Sequence, residues 1–321
     1  MCSPQTGMTT ETAGPCMGTR FYLPRSTERE SGPIDRLASL MDAKTPPTAD
    51  VLSRLTEIAR ELRIMDIEMI SEAGSGHPGG TLSAADMVAA LFFHKLRLRP
   101  EEPVWPERDR FVLSKGHCIP IVYAAMAKLG FFDPGLLKTL RKLGSPLQGH
   151  PDRTRLPGIE ASTGSLGQGL SVAIGMALAG KLDRASWRVY CMLGDGEVQA
   201  GQAWEAAMFA PRHGLDNLCA ILDHNQVQQT RKVAEILDIG PIVDKWRAFN
   251  WNVLDIDGHD MRQIVDALDE AESASGTPTL IVSRTVKGKG VSWMELEPEW
   301  HGKAPDPEQT RRALEELRGE R

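Results

Sequence analysis

Short apolar runs alternate with longer stretches of helical periodicity along most of this chain. The runs end in polar or glycine-rich turns, which is typical of buried strands, and they cover residues 111–113, 189–193, 218–222, 253–256 and 279–282. Apolar residues at helical spacing predict helices over residues 52–70, 81–96, 171–182, 202–213, 261–274 and 307–317. This alternation predicts βαβ units, and therefore an α/β fold with a mostly parallel sheet flanked by helices.

Polar and glycine residues stand where the predicted strands end. Residues 114–117 read SKGH, residues 194–196 read GDG and residues 223–225 read DHN. In open parallel sheets, ligands bind outside the carboxyl ends of the strands. We therefore expect the functional site at this edge of the sheet.

Composition narrows the class of protein. The chain has 321 residues, of which 41 % are hydrophobic and 25 % are charged, and its net charge is −6. These values are ordinary for a globular protein and argue against a nucleic-acid partner. No apolar run approaches the roughly 18 residues of a membrane span, so no membrane partner is expected. The five cysteines form no C-x-x-C pair, which favours reduced thiols in a cytoplasmic protein.

The two ends of the chain differ in character. Residues 1–50 are rich in Pro, Thr, Ser and Gly and have no apolar segment of the secretory type. We predict a flexible tail over residues 1–50 and one α/β domain over residues 51–321.

The clearest chemical signal is Gly194-Asp195-Gly196, followed after 28 intervening residues by Asn225. The predicted helix between them makes a crossover, so that both side chains would end adjacent parallel strands. A carboxylate and an amide oxygen are hard ligands for Mg²⁺ or Ca²⁺. A backbone carbonyl just after Asn225 would add a third ligand, and Gly196 would let a diphosphate approach the backbone. The alternative for G-D-G alone is an ordinary turn.

These residues resemble the thiamine-diphosphate motif, in which G-D-G precedes an Asn. Residues 60–303 are similar to the N-terminal, cofactor-binding domain of transketolase. The similarity rests on seven ordered blocks: SGHPGG (75–80), LSKGH (113–117), QGHPD (148–152), STGSLGQGLS (162–171), GDGEVQAGQAWEA (194–206), DHNQVQ (223–228) and TVKGKGVSWME…EWHGKAP (285–305). The resemblance implies a thiamine-diphosphate-binding fold and transfer of a two-carbon ketol unit from a ketose phosphate to an aldose.

The resemblance also assigns roles to residues. The matching positions are His77, His150 and His301 for catalysis; His117, Gly164, Ser165, Leu166, Gly196, Glu197, Asn225 and His301 for the cofactor; and Asp195, Asn225 and the carbonyl of Val227 for the metal. Histidines with a pKa near neutrality would suit proton transfer at the sugar oxygens. The alternative for any single histidine in a glycine-rich loop is a surface group without function.

A second half of the enzyme is implied but not present in this sequence. In the family, another domain binds the aminopyrimidine ring of the cofactor, and a full transketolase is about twice this length. The resemblance therefore implies a C-terminal partner subunit carrying the pyrimidine-binding domain, in an α2β2 heterotetramer. Two positions depart from the family pattern: Ser165 stands where Pro is usual, and Ala200 stands where a Glu joins an acidic cluster between paired sites.

Two other interpretations stay open. One is a subunit of a different thiamine-diphosphate enzyme, either similar to deoxyxylulose-phosphate synthase or a 2-oxo-acid decarboxylase. The other is a non-catalytic subunit that binds only the partner. The Lys287-Gly-Lys-Gly290 segment is either a phosphate-binding loop or a solvated loop.

Overall fold

In the computed structural model, residues 47–320 are described, and their core is a parallel sheet. Its strand order is β1-β2-β3-β7-β6, and each neighbouring pair is parallel. A short antiparallel hairpin, β4–β5, follows β3. The strands are β1 Arg110–Leu113, β2 Val189–Gly194, β3 Leu218–His224, β4 Val227–Gln228, β5 Arg231–Lys232, β6 Asn252–Asp257 and β7 Thr279–Arg284. The predicted strands and the mostly parallel sheet are thus confirmed.

Helices cover both faces of this sheet. The helices are α1 Ala49–Ala73, α2 Pro78–Ala90, α3 Ile119–Leu129, α4 Gly169–Leu182, α5 Gly201–Arg212, α6 Val233–Ile236, α7 Ile242–Ala248, α8 Met261–Ser273 and α9 Pro307–Arg318. Each of the helices predicted from periodicity is present, with ends shifted by a few residues. Among residues 47–320, no helix has both the length and the apolar character needed to cross a membrane.

Side chains along the strands alternate between two apolar layers. On β2, Tyr190 and Met192 pack in the layer formed with α1, α2, α3 and α8. Cys191 and Leu193 pack in the opposite layer, with α4, α5 and α7. Successive strand residues point to opposite faces of a sheet. Because both faces are covered, nearly every position of the central strands β2, β3 and β7 is buried, and this explains their continuous apolar sequences.

Two features of the helices were not expected from periodicity. Helix α3 is buried along nearly its whole length, so it lacks the polar face that reveals an amphipathic helix. The predicted helix over residues 81–96 is α-helical only to Ala90 and continues as a π-turn over Leu91–Lys95. The boundary at Gly74 agrees with the sequence, because Gly74 caps α1 in the left-handed conformation at φ 62°.

A third apolar cluster holds the long segment after β7. Val291, Met294 and Trp300 of this segment pack against Leu317 of α9 and Ile67 of α1. This packing fixes the segment that carries Lys287 and His301. The predicted tail, residues 1–50, lies outside the described residues except for its last four, so its flexibility stays a prediction.

Candidate functional site

A cleft of about 430 Å³ opens at the carboxyl ends of β1, β2 and β3. The register places Gly194 of β2 beside Asp223 of β3, so Asp195 and Asn225 end neighbouring strands, as the spacing predicts. The cleft is lined by His77, Gly80, Lys115, His117, His150, Gly164, Leu166, Gly194, Asp195, Gly196, Glu197, Gln199, Asn225, Val227, Gln228, Gln229, Lys287 and His301. Among the candidate site residues, only Ser165 is not part of this lining, and its side chain is exposed.

Asp195 is a buried carboxylate, with 3 % of the residue exposed. Its Oδ1 accepts the Gly196 N–H at 2.7 Å, and its Oδ2 accepts the Gln226 N–H at 2.5 Å. Burial and the neighbouring Asp223 carboxylate raise the pKa of Asp195 to about 6. Among residues 47–320, no Lys, Arg or His side chain forms an ion pair with Asp195, although the Lys115 and Lys287 ammonium groups are close enough to interact with its charge.

Asn225 is oriented by the residues around it. Its Nδ2 donates to Asp223 Oδ2 at 2.9 Å and to Ser83 Oγ at 3.2 Å. Its Oδ1 accepts the Val227 N–H at 3.3 Å. Because a carboxylate accepts but does not donate, Asp223 determines which end of the amide is oxygen. The amide oxygen is therefore turned away from Asp223.

Asp223 is the centre of a buried polar cluster that the sequence patterns did not reveal. Its carboxylate forms an ion pair with Lys115 and accepts the hydroxyl groups of Ser83, at 2.7 Å, and Thr285, at 2.5 Å. Burial raises the pKa of Asp223, but the Lys115 ammonium more than offsets this, so the pKa lies below its ordinary value. Both charges are thus present and paired beneath the cleft.

Glu197 joins three separate segments of the site. Its carboxylate accepts the Gly167 N–H at 2.9 Å, the Gly194 N–H at 3.0 Å and the Ser114 hydroxyl. Gly167 has φ 89°, a left-handed conformation that favours glycine. The resemblance placed Glu197 at the cofactor; the structure places its carboxylate on protein donors, where it holds the 163–169 loop against β2.

At Gly164 and Gly196, neighbouring side chains lie close to the backbone. A Cβ on Gly164 would lie 2.8 Å from the His150 ring, and one on Gly196 would lie 2.6 Å from Gln228 Oε1. Gln228 Oε1 is itself buried without a hydrogen-bond partner. Because Gly164 and Gly196 lack a Cβ, the side chains of His150 and Gln228 can occupy the adjacent space.

Three imidazole rings form a cluster at one wall of the cleft. The ring centroids lie 5.1 Å apart for His77 and His117, 5.6 Å for His77 and His301, and 5.4 Å for His117 and His301. Burial is the main cause that lowers the pKa of His77 and His301 to about 3 and that of His117 to about 4, and nearby positive charges add to it. The expectation of near-neutral pKa values is therefore wrong for this cluster.

His150 lies apart from the histidine cluster. Its side chain is exposed and packs beside Gly164. Partial burial of the ring, followed by the charge of His117, lowers the pKa of His150. His259, which received no role from the sequence, contacts Asp86 Oδ2 at 2.8 Å and accepts the Val286 N–H at 2.9 Å. That histidine ties α2 to the segment after β7 and does not line the cleft.

Lys287 was left undecided by the sequence, and the structure buries it in the cleft. Only 2 % of the residue is exposed. Its Nζ donates to the Val227 carbonyl at 2.7 Å and lies 2.7 Å from His301 Nδ1. Burial is the main cause that lowers the pKa of Lys287 to about 8, and the Lys115 ammonium adds to it. The solvated-loop interpretation is therefore wrong for Lys287.

Signals for the missed residues exist in the sequence. Lys115 and Asp223 are charged residues at the ends of apolar strands, and such residues need a buried partner or a ligand. Lys287 gave no such signal, because it lies in a loop and its partner, the Val227 carbonyl, is distant in the chain.

The oxygen atoms at the strand ends fit a hard divalent cation. The set consists of a carboxylate, an amide oxygen and a backbone carbonyl. The buried Asp195 carboxylate accepts two backbone N–H groups, and the Val227 carbonyl already accepts a cationic group, the Lys287 ammonium. Among the described residues, no three His, Cys, Asp or Glu side chains cluster as a metal site, so further ligands would have to come from the bound molecule or water.

Comparisons with known proteins agree with this geometry. Residues 55–318 match the family described as transketolase, thiamine diphosphate binding domain. The chain is 45 % identical to the 6-deoxy-6-sulfo-D-fructose transketolase subunit SqwG of Clostridium sp. (strain MSTE9), over 82 % of this chain and 95 % of that protein. It is 41 % identical to one of the subunits of the apulose-4-phosphate transketolase of Phocaeicola vulgatus, over 78 % of this chain and 89 % of that protein.

A solved structure shows the same architecture. The transketolase from Campylobacter jejuni superposes with a TM-score of 0.77 at 34 % identity, covering 82 % of this chain and 42 % of that chain. This chain therefore spans about two fifths of that transketolase chain, while it spans nearly all of the two relatives named as subunits.

Proposed function

This chain belongs to the transketolase family, and we propose that it is the subunit that binds magnesium and thiamine diphosphate in a transketolase of two subunits. One observation carries the proposal. Asp195, Asn225 and the Val227 carbonyl lie at the ends of adjacent parallel strands, in the same cleft as the histidine cluster. This arrangement supports the proposal, because the candidate metal ligands and the candidate sugar-binding groups line one cleft.

We assign the metal to Mg²⁺ held by Asp195, Asn225 Oδ1 and the Val227 carbonyl, with Ca²⁺ as a substitute of similar chemistry. A bound diphosphate would complete the coordination. When bound, thiamine diphosphate supplies the nucleophilic carbon that carries the two-carbon unit. The Lys287 ammonium, which now lies on the Val227 carbonyl, is placed to donate to a diphosphate oxygen instead.

The remaining residues of the site would bind and orient the sugar. His77 and His301 line the wall of the cleft, and the exposed His150 lies nearer the solvent. His117 contacts both of the other rings in the histidine cluster, and we assign it to the diphosphate. Gly164 and Leu166 line the same cleft, and we retain Ser165 and Glu197 only as residues that shape the loops around the cofactor.

We infer that a C-terminal subunit supplies the pyrimidine-binding half. The two relatives that this chain nearly covers are named as subunits, and one-chain transketolases extend well beyond the matched region. We propose an α2β2 heterotetramer, in which each active site lies between unlike subunits. The described cysteines, Cys118, Cys191 and Cys219, are free and buried, which supports the expectation of a reducing, cytoplasmic compartment.

The substrate class we propose is a ketose with a terminal anionic group. The relatives are named for a sulfo-sugar and for a sugar phosphate. The chain that carries this cleft is similar in both, so we expect the partner to contact the terminal anion and this chain to contact the reacting end of the sugar.

Reconstitution with the partner subunit tests the proposal. We expect Mg²⁺-dependent binding of thiamine diphosphate, measured by isothermal titration, and an aldose product from a ketose phosphate. Asp195→Asn should weaken Mg²⁺-dependent cofactor binding by about 100-fold or more, because it removes the charged ligand. The matched control is Asp255→Asn, since Asp255 is exposed and pairs with Arg284 on the surface.

The outcomes separate the alternatives. Carbon dioxide release from a 2-oxo acid, without aldose transfer, would favour a decarboxylase or synthase subunit. Absence of Mg²⁺-dependent binding of thiamine diphosphate by the reconstituted pair would favour a non-catalytic subunit. Robust transfer by this chain in the absence of any partner would contradict the two-subunit proposal.

A further inference from the structure

Arg141 is a cationic side chain in the site region that no acidic group neutralises. Within residues 47–320, no carboxylate forms an ion pair with it, although the adjacent Lys142 pairs with Glu72 at 2.9 Å. Its Nε is buried and has no hydrogen-bond partner. Its terminal nitrogens contact Ser75 Oγ at 3.5 Å and His77 Nδ1 at 3.4 Å.

The backbone holds Arg141 in an unusual conformation. Its φ is 61°, which is uncommon for a residue with a side chain. Its N–H donates to the Leu147 carbonyl at 2.9 Å, which closes the loop. A Cβ on Gly149 would lie 2.7 Å from Arg141 Nε, so glycine is needed there to admit the guanidinium. The loop is therefore built to place this side chain beside His77.

The contact with His77 has one chemical interpretation. A guanidinium has only N–H donors and stays protonated. The ring nitrogen that faces it must then supply a lone pair, and a flipped ring would place a carbon there instead. A hydrogen bond across this contact therefore requires an unprotonated Nδ1, and a neutral ring then carries its proton on Nε2. The positive charge beside Nδ1 also opposes protonation of the ring.

His301, on the other side of the histidine cluster, follows the same rule. Its Nδ1 accepts the Gln229 backbone N–H at 3.2 Å. A backbone N–H does not accept, so a neutral His301 also carries its proton on Nε2. The two rings lie 5.6 Å apart between centroids, and both line the cleft.

We propose that Arg141 is a positioning residue that holds His77 as the neutral tautomer with its proton on Nε2. This inference deepens the proposed function, on which its catalytic meaning rests. In that tautomer His77 donates a hydrogen bond to a sugar oxygen and stabilises negative charge that develops there. It does not deliver a proton as an imidazolium acid, because burial of the ring and the neighbouring Arg141 charge both favour the neutral form.

The tautomer is measurable in the full chain without cofactor, sugar or partner. Long-range ¹⁵N–¹H correlation spectra of the histidine-labelled protein distinguish protonated from unprotonated ring nitrogens, and His77→Gln assigns the signals. We expect an unprotonated Nδ1 in the wild type. Arg141→Met should populate the Nδ1–H tautomer, whereas Arg141→Lys, which keeps a cationic donor, should retain the wild-type pattern. A proton on Nδ1 in the wild type would overturn the proposal.

The matched control is Lys142→Met, which removes the neighbouring cation that pairs with Glu72 on the surface. It should leave the His77 signals unchanged. An Arg141→Met protein that folds and keeps the wild-type tautomer would also overturn the proposal. If Arg141→Met does not fold, the wild-type and Arg141→Lys spectra still decide it.

Kinetics of the reconstituted enzyme test the catalytic consequence. Arg141→Met should lower kcat about tenfold or more, as expected for a misplaced proton, with KM changed by less than about threefold. A loss confined to KM would show that Arg141 binds substrate directly and would contradict the positioning role. Because the spectra need no turnover, failure of the proposed function is distinguishable from failure of this inference.

Discussion

The buried Lys115–Asp223 ion pair should couple the stability of this domain to the proposed metal site. Both residues are 2 % exposed, and Asp223 also accepts the Asn225 Nδ2 at 2.9 Å. Asp223→Asn preserves the shape of the side chain and removes its charge. The Lys115 ammonium is then left buried with neutral acceptors, among them the Gly80 carbonyl at 2.9 Å.

The magnitude follows from the burial. Removing one partner of a buried ion pair costs about 3–5 kcal/mol, because the other charge is left uncompensated. A domain has a free energy of unfolding of about 5–15 kcal/mol, so this loss is a third or more of the total. Removing both charges, in Lys115→Met with Asp223→Asn, should recover about 2 kcal/mol or more relative to the single variant.

Urea unfolding of the full chain at pH 7, monitored by circular dichroism, measures the free energy of unfolding of the wild type, the single variant and the double variant. The double variant should still bind Mg²⁺ more weakly than the wild type when thiamine diphosphate is present, since Asn225 no longer faces a carboxylate that fixes its amide. A single variant within about 1 kcal/mol of the wild type would refute the reasoning. So would a double variant that is no more stable than the single one.

Two further predictions concern backbone conformation and pH. Gly167→Ala should lower the free energy of unfolding by about 2 kcal/mol, because φ is 89° and the new Cβ would lie 2.6 Å from the Ala200 Cβ. Gly175→Ala is the control: its new Cβ would have no neighbour within 4 Å, and it should raise the free energy of unfolding by about 0.5–1 kcal/mol. Equal effects of the two substitutions in thermal unfolding would contradict this prediction. The pKa of His77 is lowered to about 3, so its unfolded form binds a proton first, and stability present above pH 6.5 is lost as pH falls toward 3. His77→Asn should reduce the loss between pH 7 and pH 5 by about 1 kcal/mol, and an unchanged pH profile would argue against a neutral buried ring.

Local patterns in the sequence were enough to predict the layers of the fold and the edge at which the site lies. These patterns are short apolar runs and helical periodicity. The apolar runs are easy to recognise because the strands are buried on both faces of the sheet. The placement of Asp195 and Asn225 also followed from the sequence, because parallel strands joined by one helix bring their carboxyl ends to the same edge. Helix α3 escaped this reasoning, since it is apolar all round and has no periodic face.

The electrostatics of the site came from packing between distant parts of the chain. In the sequence, Lys287 could be a solvated loop residue. In the fold, Trp300 and Met294 pack against Leu317, and the segment that carries Lys287 is buried. In the sequence the histidines resemble ordinary acid–base groups. In the fold the centroids of three rings lie within 5.6 Å of one another, and burial, together with the charges of Lys115 and Lys287, lowers their pKa values. Solvation and charge at a point depend on atoms that are distant in the chain, and no local pattern encodes those distances.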